Sequence, residues 1–158
     1  MADKKGKLFE KKFKLDWERS FPNTFIYRLQ DSMGGYRGVS NICDFICYNN
    51  NRLYLIECKK HKGNTLPWSA FSQAERLIKY RNYDNVYPGV IIWFEDHDKI
   101  IWINIEDIAK MMLDGKKSVN IKMLDDRLYN ITEIPTTKEK SFLTGDYSIL
   151  KDIEKRGN

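Results

Sequence analysis

Residues 53–60, LYLIECKK, decide the fold when read with the run before them, residues 42–48, ICDFICY. Both runs are rich in strand-forming residues, and the asparagine-rich turn Asn49 to Arg52 between them predicts a hairpin. Side chains alternate faces along a strand, so Leu53, Leu55, Glu57 and Lys59 share one face, while Tyr54, Ile56 and Cys58 share the other. One apolar face therefore ends in a carboxylate and an ammonium. If Asn50 and Asn51 form a two-residue turn, a place Asn tolerates because it enters the left-handed region readily, Tyr48 pairs with Leu53. Carried onward, that register sets Asp44 opposite Glu57. Facing carboxylates destabilise a strand pair, and a cation between them offsets the cost.

Working outward, Leu8, Phe9, Phe13 and Trp17 recur at helical spacing with lysines between them, and Ser20-Phe21-Pro22 ends the run. Thr24 to Leu29 predicts a strand, and DSMGGYRG after it a loop. Beyond the hairpin, residues 69–82 predict a helix with Phe71, Ala74, Leu77 and Ile78 on one side. GVIIWFE and KIIWINI predict a second strand pair buried on both faces, joined by Asp96-His97-Asp98. IEDIAKMMLDG predicts a helix capped by Asn104 and ended by Gly115, and KSVNIKML a further strand. Residues 131–158 read as a polar tail with a short helix from Tyr147 to Lys155. This order implies an α/β fold, a mixed central sheet flanked by helices, in one domain spanning 1–158 with its core at about 5–123 and a tail at 124–158.

Composition narrows the function classes. The 158 residues suit one domain with a real core. No apolar run approaches the roughly 20 residues of a membrane helix, and MADKKGKLFE lacks the apolar stretch of a secretory signal, so a cytoplasmic protein is expected. Cys43, Cys47 and Cys58 sit inside strand-like runs without the spacing of a zinc site, which favours buried thiols over disulfides or structural zinc. The net charge is +5, and Lys4, Lys5, Lys7, Lys11, Lys12 and Lys14 all precede residue 15. Such a cluster suits a polyanion or is simply a solvated face. Lys5, Lys7 and Lys11, with Lys60 and Lys62, are the candidate phosphate contacts. Tyr36 can stack on a base and Arg37 can meet a phosphate, or both belong to an ordinary surface loop.

Mg²⁺ takes hard oxygen ligands and keeps several waters, so Asp44, Glu57 and the backbone carbonyl of Cys58 suffice as a protein contribution. Lys59, on the face of Glu57, is placed to orient or deprotonate water and to offset charge on a phosphate. The competing reading of the three side chains is an exposed salt bridge at a strand end. His61 between Lys60 and Lys62 reads as a solvated strand end, and Asp96, His97 and Asp98 as ordinary turn residues.

The pattern D-x12-E-x-K, framed by apolar strands, resembles the PD-(D/E)xK nuclease superfamily and implies its restriction-endonuclease-like core. Within it, KGKLFE, GVSNICDFICYNNNRLYLIECKK, LPWSAFSQAERL, PGVIIWFEDHDKIIWINIEDI and GKKSV look like successive blocks of the RecU-type Holliday-junction resolvases, including small bacteriophage forms, over roughly residues 5 to 122. The resemblance implies a homodimer that uses Mg²⁺ or Mn²⁺, and no small-molecule cofactor, to nick opposed strands of a four-way DNA junction in a bacterial cell, leaving 5′-phosphates. Asp44, Glu57 and Lys59 then take the catalytic positions, Glu10 the first-helix acid, Gln73 the helical glutamine near the site, and Ser40 the hydroxyl before the aspartate. Glu10 also fits a solvated partner of Lys14 at i+4. RecU-type chains carry a long stalk between the first two strands, where this chain has about a dozen residues, Gln30 to Asn41. That departure keeps two alternatives open, a nuclease for other branched, flap or duplex DNA and a non-catalytic DNA-binding module.

Overall fold

The computed structural model describes residues 4–30, 41–71 and 74–155. Tyr36, Arg37, Ser40 and Gln73 lie outside the described residues. The chain opens with helix α1 (Lys4–Ser20), whose apolar stripe buries Phe9, Phe13 and Trp17. Strand β1 (Phe25–Arg28) follows, then the hairpin β2 (Phe45–Asn49) and β3 (Arg52–His61). The register is the one the turn predicts: Tyr48 pairs with Leu53 and Phe45 with Ile56. Asn50 and Asn51 both have positive φ, 52° and 62°, as a tight hairpin turn with matching strand twist requires.

A short strand β4 (Thr65–Pro67) and helix α2 (Ala74–Ile78) lead to β5 (Val86–Phe94), which runs parallel to β3 over its whole length. Strand β6 (Lys99–Asn104) returns antiparallel and feeds helix α3 (Ile105–Leu113). Gly89 on β5 lies where an added Cβ would meet the Trp102 ring at 2.3 Å, so only glycine lets that indole close the core. The Asp96–Asp98 segment is a turn, as expected, with Asp98 left-handed at φ 47°. After α3 come β7 (Ser118–Asn120), which pairs with β4, and β8 (Ile131–Ile134), which joins the main sheet beside β6. The hairpin β9 (Thr136–Glu139) and β10 (Phe142–Gly145) precedes a 3-10 turn over Tyr147–Asp152.

The central sheet therefore has six strands in the order β1-β2-β3-β5-β6-β8, mixed in direction and flanked by helices. This is the α/β class expected, a mixed central sheet flanked by helices. Tyr54, Ile56 and Cys58 pack on one face with α1, and Leu55, Val90 and Ile92 on the other with α2 and α3. Gly89 to Phe94 are buried throughout, as a strand covered on both faces should be.

Three expectations change. The helix expected over 69–82 is a 3-10 turn at Trp68–Ala70 followed by α2, because 3-10 type bonds such as Tyr80 N–H to the Leu77 carbonyl tighten and end it. The strand expected in KSVNIKML lasts three residues before a 3-10 turn at Ile121–Asp125. Residues after Leu124 are packed into the fold: Ile134, Leu143, Tyr147 and Leu150 are buried in the core cluster that α1 shares. The buried Asp16 carboxylate ties this segment down, accepting from the Gly145 N–H at 3.0 Å and pairing with Lys12 at 2.6 Å.

Candidate active site

The site forms where β2 stops short of β3. The β2 ladder begins at the Phe45–Ile56 pair, while β3 continues to His61 against β5 alone, so its outer edge is open from Glu57 onward. Asp44 fills the break. Its N–H donates to the Ile56 carbonyl at 3.0 Å, its carbonyl accepts from the Leu29 N–H at 2.8 Å, and its carboxylate accepts from the Cys58 N–H at 2.8 Å. Cys58 thus turns its N–H to the open edge, and in a strand the carbonyl of the same residue points to that side too.

Glu57 is 3% exposed, which excludes the reading of a surface salt bridge. Lys59 stands 3.6 Å from Oε1 of Glu57, and the other carboxylate oxygen, Oε2, is buried without a hydrogen-bond partner. An unpaired buried carboxylate is costly, and the electrostatics show it. Burial, and then repulsion from Asp44, pushes the Glu57 carboxyl up to about 8. Burial likewise raises Asp44 to about 6, with repulsion from Glu10 adding to it and the Cys58 N–H, Lys59 and Arg28 opposing it.

Glu10 does not pair with Lys14. It takes two bonds from the Arg28 guanidinium, at 2.8 Å from Nε and 2.6 Å from Nη2, while Lys14 faces Glu18. Sequence reasoning missed Arg28. Its signal was the alternation of Phe25–Arg28: Ile26 packs on the α1 face, so Arg28, two residues on, points the same way toward Glu10.

An open cleft of about 510 Å³ runs beside this edge, lined by Lys7 and Glu10 of α1, Arg28, and Cys58 to His61. Asp44 and Glu57 are not part of its wall; cleft and carboxylates meet at Cys58. The predicted basic residues divide. Lys5, Lys7, Lys11 and Lys62 are exposed, whereas Lys60 points away from Lys59, lies 4.8 Å above the Trp93 ring and pairs with Glu95 at 3.4 Å.

Among the described residues, no group of three or more His, Cys, Asp and Glu comes together to hold a metal. The donor set is instead two carboxylates and a carbonyl, which fits a hard cation that keeps its waters. The orphaned Oε2 of Glu57 and the raised carboxyls of both acids fit it as well, since a cation would relieve each. All three cysteines are free and buried, and burial pushes the Cys43 thiol up to about 12. No described helix is long and apolar enough to cross a membrane.

No protein-family model matches the chain, and no curated protein matches it. Among solved structures it is similar to Hjc, a Holliday junction resolvase from the archaeal hyperthermophile Archaeoglobus fulgidus. The two share 19% identity with a TM-score of 0.49, over 64% of this chain and 78% of that one.

Proposed function

We propose that this chain is a metal-dependent DNA endonuclease that cuts branched DNA, with four-way junctions as the substrate its sequence blocks favour. The observation that carries the reading is the buried Glu57 carboxylate beside Asp44, with Oε2 unpartnered at the open edge of β3. A sheet core does not keep such a group for stability, because an apolar residue of similar shape would avoid its desolvation cost.

Asp44 and Glu57, with the Cys58 carbonyl, would hold Mg²⁺ or Mn²⁺. A divalent cation supplies Lewis acidity toward a phosphate oxygen and makes water a stronger nucleophile near neutral pH. The rest falls to the protein. Cys58 fixes the Asp44 carboxylate through its N–H, so one ligand is preorganised before substrate arrives. Lys59 carries its ammonium from Glu57 toward the cleft, where it can orient water and offset charge developing on the phosphate. Arg28 holds Glu10 and brings a second cation to the cleft wall. Exposed Lys5, Lys7 and Lys11 on α1 supply counterion-releasing contacts to the backbone of the DNA. Gln73, Ser40, Tyr36 and Arg37 join the proposal through the sequence alone. A homodimer would present two such sites to two strands.

The test is incubation with a labelled immobile four-way junction and with matched flap and linear duplex, each with Mg²⁺ or EDTA, alongside Glu57→Ala. Paired nicks confined to the junction, dependent on metal and on Glu57, are expected. Equal cutting of all substrates would make it a general nuclease, and binding without metal-dependent cutting would make it a binding module.

A further inference from the structure

Next to the cleft, α1, the end of β5 and the hairpin β9–β10 enclose a second cavity of about 190 Å³. Phe9 and Lys60 line both spaces, so the two lie side by side. Its walls are aromatic. Phe9 and Trp93 stand 5.6 Å apart at 48°, and Phe142, at the start of β10, stays 49% exposed. Trp93 is 8% exposed, and its indole N–H has no partner. Lys5, Lys12 and Lys60 stand on its rim together with Glu95, which pairs with Lys60, while Lys12 pairs with Asp16.

Those features select a ligand. The volume lies below the roughly 300–1,000 Å³ of a drug-sized site, which suits one small planar group. Aromatic faces beside lysines, alongside a groove that tracks a phosphate backbone, are what a single strand needs in order to stack a base. Branched DNA supplies such a base at low cost, because unpairing is least costly where pairing is already broken.

We infer that this cavity receives an unpaired nucleobase from the strand whose phosphates occupy the adjoining cleft, an inference that rests on the nuclease reading above. The base enters past Phe142 and stacks within the aromatic walls, and exposed Lys5 meets a flanking phosphate. Recognition of the branch is then partly a matter of stacking rather than of backbone charge alone.

The experiment compares an oligothymidylate of about ten nucleotides with a strand of the same length and charge made of abasic residues, by fluorescence anisotropy with the full chain in EDTA. Wild-type protein should bind the base-bearing strand about 5- to 100-fold more tightly. Phe142→Ala removes an exposed side chain and should erase most of that preference while leaving the salt dependence of binding unchanged. Equal affinity for the two strands, binding of neither, or a preference that survives Phe142→Ala overturns the inference. EDTA separates this from cleavage: a base preference in a protein that cuts no DNA with Mg²⁺ keeps the pocket and sinks the nuclease reading, and the reverse result does the opposite.

Discussion

The Cys58 N–H donates to the Asp44 carboxylate at 2.8 Å, closing with a side chain the edge that β2 leaves open. The bond gives Asp44 two separable roles, an acceptor for the backbone and a negative charge beside Glu57. Asp44→Asn keeps an acceptor and removes the charge. Its stability should stay within about 1 kcal/mol of wild type while metal-dependent cleavage falls at least about 100-fold. Asp44→Ala removes both and should cost about 1–3 kcal/mol in denaturant unfolding, because the Cys58 N–H loses its partner. Undiminished cleavage by Asp44→Asn would take Asp44 out of the metal site.

Metal binding and acid titration should compete at this site. Both carboxyls titrate above the ordinary carboxylate range, to about 6 for Asp44 and about 8 for Glu57. The folded state therefore holds these protons more tightly than the unfolded chain. Their contribution to stability is complete below the unfolded carboxylate range and is lost as pH rises through about 6 and then about 8. A cation needs both groups ionised and offsets that loss. In EDTA this pair should therefore oppose folding more at about pH 8.5 than at about pH 5.5, and the rise in Tm on adding Mn²⁺ should be larger at the higher pH. A metal-induced shift equal at both would show that the two acids do not bind it.

Glu10 and Arg28 should tune that titration from the α1 side of the sheet. Glu10 raises Asp44 and Arg28 lowers it. In Glu10→Gln, the pH at which Mn²⁺ stabilises half-maximally should move down, and in Arg28→Met it should move up. No movement in either variant would show the pair to be electrically remote from Asp44. Complete loss of the metal effect in Glu10→Gln would make Glu10 a ligand rather than a neighbour held by Arg28.

The hairpin was legible because two local rules agreed, alternation along LYLIECKK and the left-handed tolerance of Asn50 and Asn51. The buried β5–β6 pair was legible for a similar reason, an apolar run too continuous for a half-exposed strand. What stayed hidden depended on contacts distant in sequence. Lys14 competed with Arg28 for Glu10, and local i+4 spacing cannot weigh a partner that only sheet pairing delivers. The Thr136–Gly145 hairpin looked like a tail because most of its side chains are polar, and its anchor is the backbone N–H of Gly145 on Asp16. Glu57 showed its type in the sequence, but its burial emerged only when β5 and the helices closed over β3.

The register that sets Asp44 beside Glu57 rests on a turn with two left-handed residues, so the turn is a place to test the fold without touching the site. Asn50 is exposed, with φ at 52°. A β-branched side chain is strained there, by about 1–2 kcal/mol for an L-residue in the left-handed region. Asn50→Val should lower the unfolding free energy by that amount, read as a lower denaturant midpoint at an unchanged m-value, while Asn50→Gly, which meets no such penalty, should fall well short of that loss. A slip of one residue would exchange the two buried faces of β3, carrying Glu57 to the α1 side and misplacing both packed sets, so the register is held. Cleavage per folded molecule should therefore be unaltered in Asn50→Val. Lost cleavage in protein that remains folded would show that the turn sets more than stability, and that the strand has shifted.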